Sequence, residues 1–320
     1  MGKAIEVNGV VKQGHFRFGS HGAQAGSVNQ IVHDGDTVTL KTALNFSSRF
    51  LGIDTPEVSF NIRNDSFISL GNAQWTQFFV SGAWQNDLPV PADLMSFLVS
   101  RIGDPAEVAP NHFQHSQKAA KSLEAFIQAD LTETGKTKEN FEFFLAFGYE
   151  ILDGYGRLLC YLHADRKNFS PVQEKLSYNE LQLASGTAVP YFIYPNIQPF
   201  LKIDPFQQEV SNPIGFWKKI DRAGRLQAAR NFVATARTEN KGIFDAAAPL
   251  RLLPYELRFI ARKNTHGPDR YVIDLGNSGS NEILKPEHYY KIQNYEDRLF
   301  IPKEFVPLFT SNGWVIQEPT

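Results

Sequence analysis

Cysteine is nearly absent. Cys160 is the one thiol in 320 residues, so no internal disulfide can form, and a single thiol does not fix the compartment. No run of about 18 apolar residues occurs, so no membrane-spanning helix is expected. The N-terminal stretch MGKAIEVNGVVKQGHF lacks the apolar core and small-residue cleavage site of a secretory signal. Gly2 is not in a myristoylation pattern, because Glu6 stands where Ser or Thr is needed. An excess of either charge is also missing. The 32 Lys and Arg against 34 Asp and Glu give a net charge of −2, which argues against a polyanion binder working by bulk charge and leaves room for a local basic site. There is no internal repeat, no low-complexity tract and no Cys/His cluster suited to zinc.

What is present reads as globular: 42% hydrophobic and 21% charged residues, enough for one large domain or two modest ones. Aromatics are 13%, with 26 Phe, which suggests well-filled cores and stacking surfaces. Residues 4–13, 27–32, 36–40, 46–53, 141–152 and 156–163 read as strands. Helices are expected over 92–102, 115–131 (Ala119, Leu123, Phe126, Ile127 and Leu131 at helical spacing), 177–186 and a long basic stretch, 216–244. After Pro249 the texture becomes that of short strands with little helix. His112 and His115, at i and i+3, read as ordinary surface histidines.

The stretch HDGDTVTLKTALNFSSRFLGIDTPE, residues 33–57, concentrates chemistry. If its two β-prone runs are neighbours, Asp36 and Asp54 converge at one end of a sheet. Two close carboxylates repel unless a proton or cation sits between them. Hard oxygen donors suit calcium or magnesium, with the carbonyl of Thr55 as a third ligand. The plainer alternative for DGDT is a tight turn. Arg49 shifts the balance: it either bridges to Glu57 or an Asp, or grips a phosphate through its two-pronged guanidinium. Strict alternation puts Arg49 and Asp54 on opposite faces, so a twist or bulge is expected between them. A cation, an arginine and a carboxylate together make a phosphoryl-transfer site.

DGDTVTL…RFLGIDTPE closely resembles the staphylococcal nuclease (thermonuclease) family. DGYGRLLCYLHAD (153–165), YNELQLASGTAVPYFIYPN (178–196) and AARNFVATARTENKGIF (228–244) resemble its later segments in the same order. The resemblance spans residues 27–245. It implies an α+β fold, a five-stranded OB-type barrel with about three helices over 1–245, interrupted by an insertion at 58–110. A small β-rich accessory unit, 246–320, follows, without counterpart in the minimal nuclease. It implies Ca2+ held by Asp36, Asp54 and the Thr55 carbonyl, with Asp34 behind them. Arg49 and Arg157 then contact the scissile phosphate, Glu57 lies near the attacking water, and Tyr155 and Tyr194 touch the nucleotide. The implied activity is calcium-dependent endonuclease hydrolysis of DNA or RNA, with the 5′ oxygen leaving and 3′-phosphate ends. The alternative is a silent barrel that binds nucleic acid or protein. One departure is Gly154, where the family carries a basic residue. Residues 216–263 hold 11 Lys or Arg against 4 Asp or Glu, which fits either a nucleic-acid track or a solvated helix face.

Overall fold

A computed structural model describes residues 13–21, 24–41, 45–63, 65–165, 176–196, 212–263 and 266–317. The strand expected over 4–13 lies almost wholly outside them. Five strands close a barrel: β1 (Gln13–Phe18), β3 (Thr37–Lys41), β4 (Asn45–Phe50), β8 (Glu142–Leu152) and β9 (Leu158–Ala164). Strand β2 (Val32–Asp34) adds to β3 as a short hairpin arm. Around the barrel the order is β1–β3–β4–β9–β8 and back to β1, with β4 and β9 parallel and the other pairs antiparallel. That is the α+β architecture with a closed five-stranded barrel expected from the sequence. The interior is filled by side chains such as Val38, Leu40, Phe50, Phe143, Phe147 and Leu162, all buried.

A second sheet starts where the barrel strand β4 ends. Leu51 leaves the barrel and Gly52 turns the chain with φ +76° into β5 (Gly52–Asp54). This short strand pairs antiparallel with β10 (Val189–Ile193), setting Asp54 opposite Val189. Strand β10 then pairs parallel with β12 (Arg298–Pro302), and β12 antiparallel with β11 (Arg270–Asp274). One sheet therefore joins the IDT segment to residues near the C-terminal end.

Between them, residues 58–110 form the hairpin β6 (Ser59–Asn61) and β7 (Phe67–Ser69), then α1 (Ala73–Val80), α2 (Ala92–Ile102) and the start of α3 (Pro105–Thr134). Their buried side chains, Trp75, Phe79, Trp84, Leu94 and Leu98, form one core with Leu252, Leu257, Ile260, Tyr289 and Phe300. The described parts of the segments 58–110 and 246–317 thus pack on each other, beside the barrel.

Several elements differ from expectation. Residues 27–32 are a short helix, Val28–Ile31, leading into β2, rather than a strand. Helix α3 begins ten residues before the expected 115, at Pro105, capped by Asp104, whose carboxylate accepts the Ala106 N–H at 2.9 Å. This buries His112 and His115, contrary to their reading as surface histidines: Val108, His112, His115, Ala119 and Leu123 continue one buried stripe of the helix. Helix α4 (Tyr178–Ala184) follows the sequence reading, with Ser177 and Glu180 forming a capping box. The long basic helix is broken at Ala223 into α5 (Pro213–Arg222) and α6 (Gly224–Thr238). The C-terminal region, read as having little helix, carries α7 (Pro254–Ala261). Among the described residues no helix is long and apolar enough to cross a membrane.

Candidate active site

The DGD turn is held from behind. Helix α3 lies so close that a Cβ on Gly35 would come within 2.5 Å of the Ala119 Cβ and 2.8 Å of the Thr55 Cγ2. Gln182 of α4 fixes this approach by donating to the carbonyls of Gly35 at 2.6 Å and Ala119 at 2.9 Å. A glycine is required here by close packing, and the flanking Asp34 and Asp36 are thereby fixed at the end of the β2–β3 hairpin. Asp34 is nearly buried and accepts the Asp36 N–H at 3.3 Å. Burial, with the neighbouring Asp36 charge, pushes its carboxyl well above the usual range.

Asp36 and Asp54 are fully buried, and Thr55 almost so. They meet because β5 belongs to the second sheet and approaches the barrel from outside. The turn at Gly52 resolves the parity problem between Arg49 and Asp54. A side chain at position 52 would be strained by its positive φ and would stand 2.7 Å from the Tyr161 hydroxyl. Arg49 consequently bridges the two aspartates, with Nη1 donating to Asp36 Oδ1 at 3.1 Å and Nη2 to Asp54 Oδ1 at 2.5 Å. The other Asp36 oxygen accepts the Thr55 N–H at 3.2 Å, and Oδ1 also accepts the Thr37 hydroxyl at 3.2 Å. Burial opposes the Arg49 charge, but Asp36 and Asp54 outweigh it and hold the guanidinium protonated.

A second arginine enters from far along the chain. Arg258, on α7, donates to both oxygens of Asp54, at 2.9 and 2.7 Å, and to Glu57 Oε1 at 2.7 Å. Asp54, Glu57 and the two arginines form one continuous network. Burial raises the Glu57 pKa, with Arg258 and Arg49 partly offsetting it. The Glu57 backbone is fixed as well: its N–H donates to His112 Nε2 at 2.8 Å. Burial and the adjacent His115 push the His112 pKa down to about 3, so the ring is a neutral acceptor at physiological pH.

Arg157 stands apart from this network. It sits at the end of the turn joining β8 and β9, where Asp153 organises the loop by accepting the N–H groups of Tyr155 and Arg157, both at 2.9 Å. The Arg157 Nε donates to Asp153 Oδ2 at 2.7 Å, and the guanidinium lies over the Tyr155 ring at 5.4 Å. Tyr155 is 75% exposed. Arg49, Glu57, Tyr155, Arg157 and Arg258 nonetheless line one cleft of about 690 Å³. Tyr194 does not reach it: the ring is buried against Phe305 and Phe309. Tyr191, three residues earlier, lines the cleft instead.

Arg258 was not singled out from the sequence. The signal available was its place in the basic excess over 216–263, which marks a region and not a residue.

The donor set for a cation is oxygen-only. Among the described residues, Asp36 Oδ2 accepts the Thr55 N–H and Asp54 Oδ2 accepts Arg258 Nη2. Among the described residues no group of three or more His, Cys, Asp and Glu side chains is arranged to hold a metal. The carboxylates that a hard cation would need, Asp36 and Asp54, are engaged here by Arg49 and Arg258.

The chain is similar to the endonuclease YhcR of Bacillus subtilis (strain 168). The two are 24% identical over 308 aligned residues, covering 90% of this chain and 18% of that protein. The chain therefore spans under a fifth of the length of the relative it matches. No family model matches.

Proposed function

We propose that the chain is a calcium-dependent nuclease that hydrolyses phosphodiester bonds of DNA, RNA or both. The observation that carries this reading is the convergence of Arg49, Arg157 and Arg258 with the Glu57 carboxylate on one open cleft. The similarity to an endonuclease and the resemblance of the DGDT…IDTPE and DGYGR segments support it.

A phosphodiester undergoing attack by water gains charge on its equatorial oxygens, and guanidiniums aimed there lower the barrier. Arg157 is the best placed to meet the phosphate first. It lies on the turn between the fourth and fifth barrel strands, a ligand-binding loop in OB barrels. Arg49 and Arg258 satisfy buried carboxylates in the free protein and find further acceptors in phosphate oxygens. Glu57 orients the attacking water and accepts its proton. Its raised pKa makes it a stronger base than an exposed glutamate, and the His112 acceptor fixes its backbone. The leaving 5′ oxygen takes up a proton and the 3′ side keeps the phosphate. Ca2+, held by Asp36, Asp54 and the Thr55 carbonyl with Asp34 behind them, supplies Lewis-acid charge neutralisation when bound.

The competing reading, a silent binding barrel, draws on one observation: Arg258 engages both oxygens of Asp54. The two readings separate in one assay. Single-stranded DNA and RNA are incubated with the protein and calcium at mildly alkaline pH, then with a chelator. Cleavage that stops on chelation, leaving 3′-phosphate ends, supports the nuclease. Binding without cleavage of either polymer overturns it.

A further inference from the structure

The cleft has two walls of different origin. One belongs to the barrel and bears Arg49, Tyr155 and Arg157. The other is built by residues 255–263 and 266–270, which the sequence reading treated as accessory. Six cationic side chains line the cleft against three carboxylates, Glu57, Asp153 and Asp269. Four of the six come from that second wall: Arg258, Arg262, Lys263 and Arg270. A chain of net charge −2 thus concentrates positive charge on one face of one cleft.

These side chains are set against aromatic rings. The Arg262 guanidinium lies over Phe60 at 5.7 Å, and that of Arg270 over Tyr191 at 5.6 Å while donating to the Tyr191 hydroxyl at 2.7 Å. Tyr191 is itself stacked on Tyr255, with centroids 5.3 Å apart and planes at 14°. Arg262 and Lys263 are exposed, and Arg270 is half-buried. Alternating guanidiniums and π faces along a groove suit a polynucleotide strand. The cations follow the phosphates and the rings receive bases without regard to sequence.

Resting on the nuclease reading above, we infer that the wall formed by residues 258–263 and 266–270 is a strand-binding surface. Arg262 and Arg270 contact phosphates flanking the one at Arg157, and the exposed rings of Phe67 and Tyr155, which line the same cleft, offer stacking faces. The C-terminal segment then holds the polymer as well as completing the carboxylate network.

Binding without turnover tests this. A fluorescein-labelled oligothymidylate of about twelve nucleotides, within the span an OB barrel covers, is titrated by anisotropy in chelator over a range of salt. Each phosphate contact contributes about 0.7 to the slope of log affinity against log salt for a single strand, so Arg262→Gln/Arg270→Gln should lower the slope by about 1.4. Affinity at moderate salt should fall roughly tenfold or more. Arg262→Lys/Arg270→Lys should restore the slope, and Arg262→Gln alone, at an exposed site, should remove about half of the effect. An unchanged slope in the double glutamine variant, or in Arg262→Gln if the double variant fails to fold, overturns the inference. The two proposals fail separately. Strand binding without wild-type cleavage would sink the nuclease reading alone, and cleavage with an unchanged slope would sink this one alone.

Discussion

Arg258 chelates Asp54 through two guanidinium nitrogens, at 2.9 and 2.7 Å, across 204 residues of sequence. Asp54 is fully buried, and the same guanidinium reaches Glu57. Removing one partner of a buried ion pair leaves the other charge uncompensated, which typically costs about 3–5 kcal/mol. Arg49 remains beside Asp54, so Arg258→Ala should destabilise at the lower end, about 3 kcal/mol. Urea unfolding measures it. A loss below about 1 kcal/mol would mean that the pair is loosely held.

A chain ending near Asp245 loses more than Arg258. It strips β12 from the edge of β10 and opens the core in which Leu257, Ile260, Tyr289 and Phe300 pack against Trp75 and Leu98. The shortened chain should unfold at far lower temperature than the full chain and cleave nothing. Full activity from it would show that neither α7 nor β12 is needed.

Arg49→Ala and Glu57→Ala should each reduce cleavage by about two to three powers of ten, the usual effect of deleting one preorganised group. Their stability effects should differ. Without Arg49, Asp36 loses its ion pair and faces Asp54 across the gap, so this variant should also lose stability. Glu57→Gln, which keeps an acceptor for Arg258, should lose activity with little change in unfolding. Equal stability losses for Arg49→Ala and Glu57→Gln would contradict the network.

His112 gives a pH signature. Its pKa falls from an ordinary 6.5 to about 3 on folding, so the unfolded chain takes up a proton between those values and the folded chain does not. The stability that neutral His112 contributes is therefore present above pH 6.5 and lost as the pH falls. Between about pH 7 and 5 the loss amounts to roughly 2 kcal/mol. Burial also raises Asp34 and Glu57, which act in the opposite sense, so the comparison must be against His112→Gln. The advantage of wild type over that variant should shrink on acidification. A pH-independent difference would contradict the buried neutral ring.

Calcium should stabilise the fold if Asp36 and Asp54 hold it. At a hundredfold excess over Kd the gain is about 2.7 kcal/mol, visible as a rise in Tm reversed by chelator. Asp36→Asn should abolish the rise. A rise that survives Asp36→Asn would place the cation elsewhere.

The barrel and the meeting of Asp36, Arg49 and Asp54 were legible because they lie in one stretch whose alternation and turn residues report local geometry. The opposite-face parity of Arg49 and Asp54 was legible only as a conflict, which the chain resolves at Gly52. His112 was misread through the helix boundary: extended back from Ala119 by four and seven residues, the apolar stripe reaches His115 and His112. Tyr194 and Tyr191 lie in one short segment where a shift in register exchanges core for cleft. Arg258 was beyond reach, because nothing local in PYELRFIA tells that its helix docks against the IDTPE segment. That contact depends on β5, β10 and β12 sharing a sheet.

The most direct measurement is cleavage of a labelled oligonucleotide in calcium by wild type and by Arg157→Ala, with unfolding followed in parallel. Arg157 is paired within its own turn, so the variant should unfold at the wild-type temperature. Its cleavage should fall by about a hundredfold or more. Wild-type rates from a folded Arg157→Ala would show that hydrolysis does not occur in this cleft.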